Sequence, residues 1–158
     1  MMADVSLKSA NRESENPDRL QQYGVLPWRK SRQGGIEVLM ITSRERGRWL
    51  FPKGWPMNGK SPLEAASQEA FEEAGVFGDV NPYPVGSYDY VKVMKNGSEA
   101  DCTVQMFALA VRGTLTHWPE RHQRKRRWHR INEAAAAASD EDLSSLLQDI
   151  DWDRKLLG

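Results

Sequence analysis

Glu69, Glu72 and Glu73 lie within five positions of one another in this 158-residue chain. At the 100° per residue of an α-helix, spacings of three and four residues place all three carboxylates on one side. The positions four residues before and after them hold no lysine or arginine. No nearby cation therefore offsets the repulsion among the three carboxylates. None offsets their unfavourable interaction with the negative end of the helix dipole either. Three such oxygen ligands suit Mg²⁺ or Mn²⁺, and the alternative interpretation is an acidic face exposed to solvent.

The residues around these acids predict the helix that would carry them. Ser61 is the N-cap, Pro62 suits the first helical position, and Glu64 completes an S-x-x-E capping box. Gly75 suits the left-handed residue that follows a last helical turn. We therefore expect a helix over residues 61–74 with one apolar arc facing the core, formed by Leu63, Ala66, Ala70, Phe71 and Ala74.

Composition limits the class of protein. The chain has zero formal net charge, so no overall field attracts nucleic acid or membranes. Cys102 is the only cysteine, which excludes an intrachain disulfide and favours a small core residue in a strand. No apolar run reaches about 18 residues, so no membrane span is expected. We expect a polar, flexible tail over 1–19, a single domain over 20–158 and a cytoplasmic location.

The remaining pattern predicts a mixed sheet with helices packed around it, an α/β (α+β) protein. The predicted strands cover residues 21–28, 36–43, 49–51, 86–94, 103–111 and 126–131. Asn96 and Gly97 predict the turn of a hairpin between the fourth and fifth of these strands. The segments 132–139 and 140–150 are rich in helix formers and predict two C-terminal helices.

The stretch from Gly54 to Val76 resembles the Nudix box, a 23-residue pattern of glycines and clustered acids. The matching residues are Gly54, Glu69, Ala70, Glu72, Glu73, Gly75 and Val76. The resemblance implies a Nudix-type α/β/α sandwich with a mixed β-sheet and a loop–helix–loop that carries the box. The segments "SRERGRWLFPKGW" and "RKRRWHRINEA" are similar to diphosphoinositol polyphosphate and diadenosine polyphosphate hydrolases.

Two positions depart from the box. Lys60 stands where the family has glutamate, and Gln68 stands where it has arginine, two residues that often pair in the family. Lys60 could donate to the Gln68 carbonyl as a weaker brace between the loop and the helix. The family glutamate can also approach the metal, and Lys60 cannot.

The resemblance implies metal-dependent hydrolysis of a diphosphate linkage in a phosphate-rich small molecule. That class includes dinucleoside polyphosphates, diphosphoinositol polyphosphates and nucleotides. The implied catalytic residues and metal ligands are Glu69, Glu72 and Glu73, and the expected cofactor is Mg²⁺, with Mn²⁺ as the alternative. The main-chain carbonyl of Lys53 and the side chain of Glu120 are further candidate ligands. The general base is one of the three clustered acids or an acid from elsewhere such as Glu120, while Gly54 and Gly75 are structural.

Substrate phosphates beyond the metal require cations, and arginine suits them because its planar fork binds phosphate with two hydrogen bonds. The candidates are Arg44, Arg48, Lys53, Arg124 and Arg126. Each has the alternative of being a solvated surface charge. The basic run 124–127 also suggests removal of pyrophosphate from RNA 5′ ends, although nucleic acid is the weaker hypothesis for a neutral chain. A third alternative is a ligand-binding module weakened by the changes at Lys60 and Gln68.

Overall fold

The computed structural model describes residues 19–152 and forms one mixed sheet with helices on both faces. In chain order the elements are β1 (Leu20–Lys30), β2 (Ile36–Thr42), β3 (Trp49–Leu50), β4 (Lys53–Gly54), α1 (Pro62–Glu69), a π-helical turn (Ala70–Ala74), β5 (Val76–Val80), β6 (Gly86–Val93), β7 (Glu99–Thr114), β8 (Arg126–Arg130), α2 (Ile131–Ala137) and α3 (Glu141–Asp149). Nearly all of the predicted polar tail and the last six residues of the predicted domain lie outside the described residues.

The sheet is built around the pairing of its two longest strands. β1 and β7 run parallel, from Leu20 opposite Cys102 to Trp28 opposite Ala110. The strand order is β3-β2-β1-β7-β5, and β8, β4 and β6 pair with β2, β1 and β7. These other pairings are antiparallel. The mixed sheet predicted from the sequence is confirmed.

Alternating residues of the central strands divide the core between the two faces of the sheet. Val25 belongs to a cluster with Ala66 of α1 and the alanines of the π-helical turn. Its neighbour Leu26 belongs to a cluster with Leu143 and Leu147 of α3. Both valine and leucine side chains are fully buried, as period-two alternation requires of a strand covered on each face. The architecture is the predicted α/β/α sandwich.

Three strands differ from the sequence-based expectation. β4 lies in a segment predicted to be a loop, and β5 was not predicted, since Gly78 and Asp79 have low strand propensity. β7 extends beyond the predicted 103–111 at both ends, because its first half pairs with β6 and its second half pairs with β5. The Asn-Gly hairpin is confirmed, with Gly97 at φ 87°. Cys102 is fully buried, as predicted.

Within residues 19–152, no helix combines the length and apolar content needed to cross a bilayer.

Candidate active site

The start of α1 follows the predicted local chemistry. Ser61 Oγ accepts a hydrogen bond from the Glu64 amide at 3.2 Å, and Glu64 Oε1 accepts one from the Ser61 amide at 2.8 Å. Pro62 occupies the first helical position. This reciprocal box satisfies donors that a helix leaves free at its N-terminus, and it fixes where the box helix begins.

The end of the helix widens into a π-helical turn, which the sequence analysis did not predict. Gly75 closes that turn in the left-handed conformation, at φ 64° and ψ 39°, and its amide donates to Phe71 O at 3.1 Å. A Cβ at this position would lie 2.6 Å from the ring of Trp118. Glycine is therefore required at position 75 for both its conformation and its lack of a side chain.

The wider turn changes which side chains face the core. Ala66, Ala70 and Ala74 are buried as predicted, whereas Phe71 is 44% exposed and its predicted place in the core is wrong. Each residue of a π-helical turn advances by less than the 100° of an α-helix. As a result the Glu73 side chain points inward, and the residue is only 8% exposed to solvent.

The carbonyls at the end of the helix find their donors in a later loop. Glu72 O accepts from the amide of Glu120 at 3.0 Å, and Glu73 O accepts from Trp118 Nε1 at 3.2 Å. Gly75 O accepts from the amide of Leu115 at 2.8 Å. The loop that carries Glu120 is thereby held directly against the acidic end of the box helix.

Arg126 completes this junction, and its predicted role in phosphate binding stays a prediction. Its guanidinium donates to Ala74 O at 2.8 Å and to Leu115 O at 2.6 Å. It also lies 3.8 Å from the centroid of the Trp118 ring. With its donors engaged by main-chain carbonyls, Arg126 anchors the helix end and places a cation where the helix dipole is negative.

Glu69 and Glu73 are joined by a hydrogen bond between their carboxyl groups. Burial raises the pKa of Glu73 to about 8, against the lowering effect of the nearby Arg124 guanidinium. Burial also raises the pKa of Glu69, and the hydrogen bond to Glu73 opposes that shift. Two carboxyl groups that face each other in a partly buried place retain a proton between them, so in the absence of a cation this pair is not fully ionised at neutral pH.

Arg124 supplies the cation that is missing from the local sequence. Its Nε donates to Glu120 Oε1 at 2.8 Å, one terminal nitrogen donates to Thr42 O at 3.1 Å, and the other lies 3.7 Å from Glu73 Oε2. The Arg124 side chain is only 9% exposed. Arg124 therefore neutralises and positions Glu73 and Glu120, and its predicted contact with substrate phosphates stays a prediction.

Strand β4 borders the carboxyl pair. The Lys53 amide donates to Glu73 Oε1 at 3.3 Å. A Cβ at Gly54 would overlap the Glu69 carboxylate, so glycine is needed for the strand to approach the helix this closely. The Lys53 carbonyl as a metal ligand stays a prediction. The Lys53 side chain runs to the other face of the sheet, where its amine lies 4.6 Å from the centroid of the Tyr90 ring.

Of the two residues that depart from the Nudix box, Gln68 contacts one of the clustered acids. Gln68 Nε2 donates to Glu72 Oε2 at 2.8 Å, one helical turn further along. Lys60 and Gln68 both line a shallow groove along α1, together with the exposed ring of Phe71. The glutamine therefore orients the third acid of the cluster, where the sequence analysis had considered a brace to Lys60.

The donor set fits a hard divalent cation, although these side chains do not already converge on one point. Among residues 19–152, no three side chains of His, Cys, Asp or Glu are arranged closely enough to hold a metal ion. The carboxylates are instead paired with each other, with Arg124 and with Gln68. Oxygen ligands and a buried pair that retains a proton are nevertheless the chemistry that Mg²⁺ or Mn²⁺ would satisfy, by replacing that proton.

Arg44 and Arg48, two of the three arginines in the loop before the box, are exposed. Arg44 donates weakly to Gln123 Oε1 at 3.4 Å, and Arg48 donates to Ser139 O at 3.1 Å. Arg48 also lies 3.9 Å from Asp140 Oδ1. Their contact with substrate phosphates stays a prediction, and their exposure keeps them accessible for it.

Sequence reasoning missed Tyr88 and Tyr90, which lie on the same face of β6 as Lys92. Tyr90 Oη donates to Gln22 Oε1 at 2.6 Å, and Tyr88 is buried beside it. The alternation in "YDYVK" contains the signal, since residues 88, 90 and 92 must share a face of the strand. What the alternation alone could not reveal is that Lys53 lies over that face.

Comparisons with known proteins agree with this geometry. A family model described as a NUDIX domain matches residues 19–150. The chain is 39% identical over 120 residues to "Nudix hydrolase 13, mitochondrial" of Arabidopsis thaliana, which covers 72% of this chain and 59% of that protein. It is 31% identical over 101 residues to mouse "Diphosphoinositol polyphosphate phosphohydrolase 3-alpha", covering 62% of this chain and 57% of that protein. The chain thus spans somewhat more than half the length of these relatives.

A solved structure of a C. elegans Ap4A hydrolase has the same fold. It superposes with a TM-score of 0.60 at 22% sequence identity, covering 82% of this chain and 94% of that one. At that identity the likeness concerns the fold. Together the comparisons confirm the family resemblance found in residues 54–76 and support the expectation of a hydrolase.

Proposed function

Because the chain belongs to the NUDIX domain family, we propose that it hydrolyses a diphosphate linkage in a phosphate-rich small molecule. The candidate substrates are dinucleoside polyphosphates, diphosphoinositol polyphosphates and nucleotides. The observation that carries the proposal is the partly buried carboxyl pair of Glu69 and Glu73, held against β4 and flanked by Arg124. A cytoplasmic location stays a prediction from composition alone.

The residues that would hold Mg²⁺ or Mn²⁺ are Glu69, Glu72 and Glu73, with Glu120 and the Lys53 carbonyl as further ligands. When bound, such an ion neutralises charge on the diphosphate and lowers the pKa of a water molecule. The chain itself keeps the ligands in a partly buried place, where their attraction to a cation is stronger than in water. Gln68 orients Glu72 for this purpose, and Arg124 limits the repulsion between Glu73 and Glu120.

Glu120 is the acid best placed to act as the general base. Arg124 fixes its carboxylate by a 2.8 Å hydrogen bond, and its main chain is tied to Glu72. Arg44 and Arg48 lie outside this centre and would bind the more distant phosphates of the substrate.

The two alternatives gain less support. The basic run 124–127 forms part of a strand and its approach, so its side chains alternate: Arg124 and Arg126 point inward, and Lys125 and Arg127 are exposed. Only Lys125 and Arg127 of this run therefore face solvent, where an RNA strand could bind them. A pure binding module would have no evident need for the partly buried acid pair.

The test is turnover by the full chain, with phosphate release followed for each substrate class and for 5′-triphosphorylated RNA. Glu73→Gln and Glu69→Gln should each lower turnover by about 100-fold or more, since even partners outside the metal shell are worth about 10- to 100-fold. Glu99→Gln, an exposed glutamate of the β6–β7 hairpin, is the matched control. Chelation of divalent ions should abolish the activity of the wild type.

Two results would overturn the proposal. One is an absence of hydrolysis of every diphosphate-linked compound in the presence of Mg²⁺ or Mn²⁺. The other is equal turnover by Glu69→Gln, Glu73→Gln and the Glu99→Gln control. Preferential hydrolysis of triphosphorylated RNA with a steep dependence on salt would transfer the assignment to RNA 5′ ends.

A further inference from the structure

Trp118 belongs to the loop between β7 and β8, and its ring is tied to the end of the box helix. Its Nε1 donates to the main-chain carbonyl of Glu73 at 3.2 Å. The ring lies so close to Gly75 that a Cβ there would be 2.6 Å from it. The Arg126 guanidinium lies 3.8 Å from the centroid of the same ring. Three contacts therefore fix this one side chain at the acidic end of the helix.

Only Pro119 separates Trp118 from Glu120 in the chain. Proline fixes its own φ and restricts the preceding residue to extended backbone, so little rotational freedom remains between Trp118 and Glu120. The Glu120 amide donates to the Glu72 carbonyl at 3.0 Å, and the Arg121 amide donates to the Trp118 carbonyl at 3.1 Å. The main chain of Glu120 is thus held on both sides, and one of its two supports is the anchored tryptophan.

The same ring thereby joins two parts of the candidate centre. It bonds the main chain of Glu73, a candidate metal ligand, and it lies two residues before Glu120, the proposed general base. A shift of the ring would move these two acids relative to each other. A misplacement of about 1 Å in a catalytic group can reduce turnover by about 100-fold, because the reacting atoms lose their alignment.

The indole N–H contributes something that the packing of an aromatic ring does not. The carbonyls of residues 72–75 each accept a hydrogen bond from a donor that lies beyond β7. For Glu73 this donor is the Trp118 indole, and a phenylalanine ring at position 118 would occupy the same place without supplying it. Loss of the N–H would leave the Glu73 carbonyl free to shift, while the ring could keep its contacts with Gly75 and Arg126.

We propose that Trp118 is a positioning residue of the hydrolytic centre, which sets the spacing between Glu120 and Glu73. This inference rests on the proposed function, in which both acids take part. Trp118 acts through these acids rather than on the substrate, so it should determine kcat and the affinity for the metal ion more than KM.

The test compares Trp118→Phe with Trp152→Phe, because the chain contains a second indole in an equivalent local setting. Trp152 Nε1 donates to Leu147 O at 3.2 Å, the same distance, near the end of α3 on the other face of the sheet. Each substitution keeps an aromatic ring and removes one hydrogen bond of the same kind. Thermal unfolding of the full chain in chelator should therefore show similar losses of Tm, which controls for the structural effect.

Only Trp118→Phe should affect the centre. Its kcat should fall by about 10- to 100-fold, the range for residues that orient metal ligands, and its KM should change little. The affinity for Mn²⁺, followed without substrate by the electron paramagnetic resonance of the free ion, should fall by about tenfold or more. Glu69→Gln identifies the part of this Mn²⁺ binding that belongs to the centre. Trp152→Phe should retain the wild-type kcat, KM and Mn²⁺ affinity.

If the wild type hydrolyses a diphosphate-linked compound, kcat decides the question. Equal kcat in Trp118→Phe and Trp152→Phe would then overturn the positioning role and leave the proposed function intact. If the wild type hydrolyses none, the proposed function fails and the Mn²⁺ affinity decides. A loss of affinity confined to Trp118→Phe would support the positioning role, whereas equal affinities, or a wild type that does not bind Mn²⁺, would overturn it.

Discussion

The two ends of the box helix are stabilised in opposite ways. At its start, Ser61 and Glu64 satisfy each other's amides across three residues. At its end, the donors come from Trp118 and Arg126, which lie 45 and 52 positions from the carbonyls they satisfy. A local rule decides where this helix begins, and only the folded chain makes its acidic end stable.

The difference has a chemical consequence. A helix end stabilised locally would carry a lysine or arginine in its last turn, which would occupy the carboxylates permanently. Here the cation comes from Arg124, on a separate segment, and the acids lie against β4 in a partly buried place. Because the cation comes from a segment distant in sequence, Glu69 and Glu73 remain paired with each other and available to a metal.

Removing the distant cation should have the largest effect on stability. Arg124→Met leaves Glu73 and Glu120 without their shared partner and should lower the free energy of unfolding by about 3–5 kcal/mol at pH 9, the usual cost of breaking a buried ion pair from one side. Below pH 7 the loss should be smaller, since protonation of Glu73 relieves the repulsion. Denaturant unfolding in chelator measures both values.

The matched control is Arg112→Met, whose partner Asp79 and own side chain are about 70% exposed. Such surface pairs contribute less than about 1 kcal/mol. Equal losses in the two arginine variants would show that the acidic end does not depend on Arg124.

The proton held by Glu73 should make metal-free stability depend on pH. The folded protein holds it up to a pKa of about 8, whereas the ordinary value is 4.5. Because the folded state binds this proton more tightly, its contribution to stability is complete below pH 4.5 and is lost as the pH rises to about 8. The loss should approach 1.4 kcal/mol per pH unit within that window.

Glu73→Gln isolates this effect, because glutamine imitates the protonated acid and does not titrate. Denaturant unfolding of both proteins in chelator between pH 5 and 8 should give curves that converge or cross as the wild type loses stability. Parallel curves across the whole range would contradict a retained proton at Glu73.

The locally stabilised end should give the smallest effect. Ser61→Ala removes the N-cap acceptor and should lower the free energy of unfolding by about 1 kcal/mol between pH 6 and 9. The loss should be constant there, because hydrogen bonds to Ser61 hold the pKa of Glu64 below its ordinary value of 4.5. Ser145→Ala, at an exposed position inside α3, is the matched control and should be neutral or slightly stabilising. A loss that varies between pH 6 and 9 in Ser61→Ala would mean that the two ends of the helix are coupled.

The sequence by itself determined those features whose partners lie within a few residues of each other. The capping box, the left-handed Gly75 and the Asn-Gly hairpin all follow from fixed distances along the backbone. Residue patterns likewise predicted most of the strands, although the short β4 and the glycine- and aspartate-containing β5 were not predicted. The α/β/α sandwich came from the family resemblance. The family resemblance added the register of the three acids, which spacing alone left open to a solvated face.

Tertiary structure alone decided the identity of the cation beside those acids. Arg124 and Arg126 are two positions apart in one basic run, and sequence gave them the same role. In the fold, one neutralises carboxylates and the other anchors helix carbonyls. The contact of the Trp118 ring with Gly75 was equally hidden, because nothing in a turn pattern reports what packs against its glycine. Contacts between distant segments depend on how whole elements pack, and that packing is the sum of many small energies that no single stretch of sequence contains.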